Sequence, residues 1–79
     1  MRDARHEHNP SPEYAKRLIS LAAEKHGSRN KVSEMSGISR RHLQYLERGF
    51  RVRAGRKIPV MMDFSMQVVL ESLAGVCKP

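Results

Sequence analysis

The chain has 79 residues, with 15 lysines and arginines against eight aspartates and glutamates, a formal net charge of +7, and one cysteine. A chain of that length makes one small domain that buries about three-fifths of its unfolded surface, too little to enclose a substrate pocket. A lone Cys77 forms no internal disulfide and no zinc pair, and no apolar run approaches the roughly 20 residues of a membrane span.

Residues 1–10, MRDARHEHNP, are polar and unpatterned and are expected to form a flexible N-terminal arm. Asp3 and Glu7 offset Arg2 and Arg5, and His6 and His8 lack a third ligand, so neither a basic arm nor a metal site is expected. Ser11-Pro12-Glu13 is a helix start: a serine cap, a proline at the first helical position and an acid beside the positive end of the helix. Tyr14, Leu18, Leu21 and Ala22 give the following helix an apolar stripe, and Gly27 ends it, for a span of about Pro12 to His26.

Ser28 caps a second helix, about Arg29 to Ser36, and Gly37 supplies the left-handed residue that ends it. Ser39 caps a third, about Arg40 to Glu47. Val32 and Met35 fall three apart on one face, as do Leu43 and Leu46, with Ile38 between the two helices. Two short helices around such a glycine make a helix-turn-helix.

Residues 49–62 are the least patterned. Phe50 and Val52 alternate with Arg51 and Arg53 as a short strand would, and Ala54-Gly55 offers a turn. Pro59 and the short length favour a basic loop over a small wing. Asp63 then caps a fourth helix, about Phe64 to Ala74, closed by Gly75. Met62, Met66, Val69, Leu70 and Leu73 form one stripe on it, and Phe64 and Val68 project from another side. The expected fold is therefore all-α: a helix-turn-helix domain of four to five helices over residues 11–76, followed by a tail at 77–79. The apolar surface of the last helix exceeds what a core this small covers. A homodimer through Met62, Phe64, Met66, Val69, Leu70 and Leu73 is expected, methionines being adaptable at shared surfaces.

The charge is localised. Ser28 to Lys57 hold nine basic residues, opposed only by Glu34 and Glu47, and that excess equals the net charge of the whole chain. Basic charge concentrated on a helix-turn-helix is the footprint of a polyanion binder. The third helix carries Arg40, Arg41, Gln44 and Tyr45 as candidate readers of base edges, the first three having side-chain forks that match guanine and adenine in the major groove. Ser28, Arg29, Asn30, Lys31, Ser39, Arg48, Arg51, Arg53, Arg56 and Lys57 are the candidate phosphate contacts, which position without reading sequence. His42 is expected as an exposed neighbour of phosphate, and Glu47 as a partner of Arg51 at helical spacing.

The run Arg29 to Leu46, with Val32, Gly37, Ile38, Leu43 and Leu46, resembles the helix-turn-helix of the phage Cro and repressor class. That class usually has alanine where this chain has Ser33, whose hydroxyl needs a partner. A wider likeness joins the lead-in Asn9, Pro10, Pro12 and Tyr14 to the closing-helix residues Phe64, Gln67, Leu70, Glu71, Leu73 and Ala74. In that layout the chain is similar to the anti-CRISPR-associated (Aca) regulators of phages. The resemblance implies a small dimeric repressor that binds an inverted repeat in the promoter of its own anti-CRISPR operon, in the cytoplasm of a bacterial host and on the nucleoid when bound to DNA. It also implies that Arg41 reads a base, and that Asn30 and Lys31 stand where the family has arginines.

The expected partners are double-stranded DNA and a second copy of the chain, with no cofactor, metal, membrane or small-molecule ligand. Two other classes remain open: a protein-binding phage module, such as a polymerase inhibitor or an antitoxin-like protein, and a non-specific DNA-coating protein. An enzyme is not expected, since no nucleophile–base set, metal cluster or glycine-rich phosphate loop is present.

Overall fold

A computed structural model of the protein describes residues 8–76. Most of the expected arm (1–7, with His6) and the tail (77–79, with Cys77) lie outside the described residues. Four helices and one hairpin follow in the order α1 (Pro12–His26), α2 (Arg29–Ser36), α3 (Arg40–Arg48), β1 (Phe50–Arg53), β2 (Arg56–Pro59) and α4 (Phe64–Ala74). None of the helices is long and apolar enough to cross a membrane.

Each helix starts where a side-chain oxygen takes up a free backbone N–H. Ser11 Oγ accepts from Tyr14 N at 3.2 Å, Ser28 Oγ from Lys31 N at 3.2 Å, Ser39 Oγ from His42 N at 3.1 Å and Asp63 Oδ1 from Met66 N at 2.8 Å. Gly37 ends α2 at φ 78°, and its N–H returns to Ser33 O. The Ser33 hydroxyl finds the partner it requires in the Ile38 carbonyl, 2.6 Å away across the turn. A side chain thus spans the tight connection that an alanine would leave to backbone alone.

The core runs along α1, which packs on α2, α3 and α4. Ala15, Leu18, Ile19, Ala22 and Ala23 are buried together with Val32, Ile38, Leu43, Leu46, Met62 and Leu70. This stripe is wider than the expected one and takes in Ala15 and Ile19, because α1 has helices on more than one side. Met35, in contrast, is 51% exposed at the end of α2. Met62, just before α4, and Leu70 on it face inward with half-buried Met66 and Leu73, while Val69 turns outward with Phe64.

A polar network closes the α1–α4 interface. Tyr14 donates its hydroxyl to Glu71 Oε2 at 2.5 Å, and Gln67 Nε2 donates to the same oxygen at 3.2 Å. The Asn9 backbone N–H donates to Gln67 Oε1 at 2.8 Å, and Asn9 Oδ1 accepts from Ser11 N at 3.1 Å. His8 Nε2 lies 2.8 Å from the Met62 carbonyl. The lead-in and the closing helix, far apart in sequence, are thereby one hydrogen-bonded unit, and residues 8 and 9 of the expected arm are tied into it.

The expectation of an all-α fold is corrected at residues 49–62, where a two-stranded antiparallel hairpin replaces the basic loop. The register pairs Phe50 with Pro59, Arg51 with Ile58, Val52 with Lys57 and Arg53 with Arg56. Ala54 (φ 52°) and Gly55 (φ 76°) both take positive φ, the pattern of the two-residue hairpin turn whose twist suits paired strands. Val60 N donates to Gly49 O at 3.0 Å, so Pro59, one residue earlier, falls at a position where the ladder needs no N–H. That is why a proline does not exclude the strand.

Ala54 is the only non-glycine residue at positive φ among the described residues, a conformation that costs an L-residue with a Cβ about 1–2 kcal/mol. Ala54→Asn, which gives the Asn-Gly pair favoured in such turns, should raise the melting temperature by a few degrees in a calorimetric scan; an unchanged or lower value would refute the strain. Burial, followed by the hydrogen bond to Glu71, pushes the Tyr14 phenol up to about 12 from 10.0. A phenol held protonated by the fold contributes stability below pH 10 that is lost as pH rises through 12. Denaturation followed from pH 9 to 12 should show that loss in the wild type and not in Tyr14→Phe.

Candidate nucleic-acid interface

The two faces of α3 divide cleanly. Leu43 and Leu46 are buried, while Arg40, Arg41, Gln44 and Arg48 are exposed. The separation follows from helical spacing: 40, 44 and 48 lie four apart, and 41 falls beside them. Tyr45 is half-buried at the edge of this surface.

Two contacts join α2 to α3 beside the surface. Arg40 Nη1 donates to Asn30 Oδ1 at 2.6 Å, so Asn30 holds the first arginine of α3. Arg29 donates to Glu47 Oε2 from Nε at 3.1 Å and from Nη2 at 2.8 Å, and Nη2 also lies 3.4 Å from Ser20 Oγ. The expected Glu47–Arg51 pair is therefore corrected to Glu47–Arg29. Arg51 lies past the end of α3 in β1, where helical spacing no longer applies. Arg29 is held on the protein, and its charge is largely answered by Glu47. Lys31 stays exposed, with Glu34 at 3.8 Å on an equally exposed side chain, an ion pair of little energetic weight. Ser28 and Ser39 use their oxygens as caps and keep hydroxyl protons to donate.

A stack joins α3 to the hairpin. The Arg48 guanidinium sits 5.6 Å from the Tyr45 ring centre and 5.2 Å from that of Phe50, and Lys57 Nζ lies 4.8 Å over Phe50 on the hairpin's same face. Tyr45 thus has a structural task beneath Arg48. Phe50, not among the expected site residues, organises both cations. Alternation along β1 and β2 was the signal that could have placed Lys57 over it. Arg53 and Arg56 are exposed at the hairpin tip and Arg51 is half-buried nearer its base.

His42 does not fit the expectation of an exposed side chain. It is half-buried, and its Nε2 is enclosed without a hydrogen-bond partner, because position 42 turns off the outer face towards the body of the domain. Of the expected dimer residues, Met62 and Leu70 are 1% and 0% exposed inside the subunit's own core and offer no surface to a second copy. Phe64 (42%) and Val69 (37%) are exposed. No group of three or more His, Cys, Asp or Glu among the described residues is arranged to hold a metal ion.

The structure thus brings together Asn30, Arg40, Arg41, Gln44, Tyr45, Arg48 and the basic hairpin as one run of linked elements. Comparison with protein families, curated proteins and solved structures gives no match to this chain.

The Arg29–Glu47 pair is 39% and 16% exposed at its two side chains. A double-mutant cycle with Arg29→Ala and Glu47→Ala should give a coupling of about 1 kcal/mol or less in urea denaturation. A coupling indistinguishable from zero would mean that the contact does not hold α2 on α3.

Proposed function

We propose that the protein is a sequence-specific DNA-binding transcriptional repressor that acts as a homodimer on an inverted-repeat promoter site. The observation that carries this reading is the continuity of the basic surface. Asn30 bonds Arg40, linking α2 to α3, and Arg48 stacks on both Tyr45 and Phe50, linking α3 to the hairpin. Cations held in fixed positions on α3 and the hairpin, Arg40, Arg48 and Lys57, suit a rigid polyanion better than a soft protein surface.

In this mechanism α3 enters the major groove and Arg40, Arg41 and Gln44 meet base edges, with Tyr45 supporting Arg48 at the groove wall. Ser28, Asn30, Lys31 and Ser39 face the phosphates beside the positive ends of α2 and α3. Arg51, Arg53, Arg56 and Lys57 extend the backbone contact along the hairpin. Arg29 contributes less than its charge suggests, since Glu47 answers it.

The outer side of α4 supports self-association. Phe64, Ser65, Val68, Val69 and Ser72 form a face without a charged residue, on a chain whose other surfaces are rich in charge. Joined there, two subunits present their α3 helices to half-sites about 34 Å apart, one turn of the duplex. Occupying a promoter excludes polymerase. The likeness to the anti-CRISPR-associated regulators makes the chain's own operon the expected target. The same uncharged face supports a second reading, a module that grips another protein through α4.

A mobility-shift assay on DNA from upstream of the protein's own gene, with random duplex as competitor at physiological salt, separates these readings. The expected shift survives the competitor, and Arg41→Ala weakens it by about 5- to 150-fold, the equivalent of one bidentate base contact. Arg51→Ala should act on all sequences alike and lower the salt slope by about one. A shift lost to competitor would indicate a DNA-coating protein. Absence of any shift would leave the α4 face and a protein partner.

A further inference from the structure

Of the four cations on the hairpin, Arg53 and Arg56 differ from the others. Lys57 is held over Phe50, and Arg51 is half-buried at the base, opposite Ile58. Arg53 and Arg56 are directly opposite one another, on the same face, in the last pair before the turn. Both are exposed. The ion pairs among the described residues are Arg29–Glu47 and Lys31–Glu34, so no carboxylate among those residues answers either arginine. Like charges directly opposed across a ladder destabilise it, and here the fold sets two exposed arginines opposite one another in the last pair before the turn.

The tip beyond them is thin. Ala54 and Gly55 make the turn, with one methyl group between them. The hairpin leaves α3 through the single residue Gly49, and Phe50 at its base is stacked on Arg48 of that helix, so the hairpin's direction is tied to α3. Its four-residue strands reach about 13 Å. A helix in the major groove delivers the chain that follows it to the sugar–phosphate wall, and the next feature beyond that wall is the minor groove, about 6 Å wide.

We propose that Arg53 and Arg56 enter this minor groove together and read its width, giving the protein a preference for A·T-rich sequence beside the segment that α3 contacts. This rests on the DNA-binding reading above and adds a sequence preference to residues otherwise assigned to phosphates. A narrow A·T groove concentrates the negative potential of two converging backbones, and that potential stabilises two neighbouring positive charges where a single phosphate would answer one. Arginine suits the task because its guanidinium sheds water more readily than an ammonium. The guanine N2 amine of a G·C pair both fills the groove floor and presents a donor to a donor.

The test starts from a duplex selected by the wild-type protein out of a random-sequence library. Flanks of that duplex are then made A·T, G·C or inosine·cytosine, the last keeping the major-groove face of G·C while removing the minor-groove amine. Binding is measured by fluorescence anisotropy. The expected result is at least about fivefold weaker binding with G·C flanks, most of it restored by inosine·cytosine. The R53A/R56A form should bind all three alike. The R53K/R56K form should keep the wild-type salt slope while its preference shrinks. Equal wild-type binding to A·T and G·C flanks overturns the proposal and leaves DNA binding intact. A lysine form identical to wild type on every flank also overturns it, since the pair would then act through charge alone. If the wild type selects no duplex, the DNA-binding reading fails and this proposal with it.

Discussion

Everything in this domain leans on α1. A chain of 79 residues has one core, and α1 supplies five of its buried side chains, Ala15, Leu18, Ile19, Ala22 and Ala23, against all three other helices. Leu18 and Ile19 fill the interior, and the small Ala15, Ala22 and Ala23 beside them leave room for the neighbouring helices. With the interior filled in this way, α2 and α3 are left to offer their outer faces to something else. Three short helices would be marginal alone; packed on α1, the nine residues of α3 become a rigid support for the arginines outside.

Charge then decides the fine structure of that outer face. Arg40, Arg41 and Arg48 on one short helix repel each other, and the protein answers only part of the repulsion. Asn30 takes Arg40, and the rings of Tyr45 and Phe50 take Arg48. Neither partner is anionic. A carboxylate in either place would neutralise the cation, whereas an amide oxygen or an aromatic face orients it and leaves its charge outward. Glu47, the carboxylate on α3 itself, is directed to Arg29, away from the exposed row of that helix. The distinction between orienting and neutralising is what makes the surface look made for an anion.

Local signals wrote the helices into the sequence plainly. The serine and aspartate caps at Ser11, Ser28, Ser39 and Asp63, each with a glycine closing the helix it opens, can be read from a few neighbouring residues, and the helix-turn-helix follows from them. The hairpin was harder, because its turn puts Ala54 in a conformation that alanine disfavours and Pro59 interrupts the usual strand pattern. Long-range partners were not legible at all. Nothing local links Tyr14 to Glu71 or Arg29 to Glu47. Met62 and Leu70 show the limit from the other side: apolar periodicity marks a surface to be covered, but not whether the subunit or a neighbour covers it.

The lead-in segment has a wider consequence than its length suggests. Asn9 is bonded to Gln67 of α4, and Tyr14 to Glu71. Between them, Pro12 lies so close to Gly49 that a Cβ there would come within 2.8 Å of the proline ring. Gly49, at φ 86°, is the joint between α3 and the hairpin. Six residues, Asn9 to Tyr14, therefore touch both the helix with the uncharged outer face and the hinge of the basic surface. Rotating α3 and the hairpin relative to α4 would require breaking the part-buried bond from Tyr14 to Glu71 or moving Pro12 off Gly49. The angle between those two surfaces is thereby built into a single subunit. In the proposed dimer through α4 that angle sets the separation of the two α3 helices, so the spacing of the proposed half-sites would be a property of the lead-in as much as of the interface.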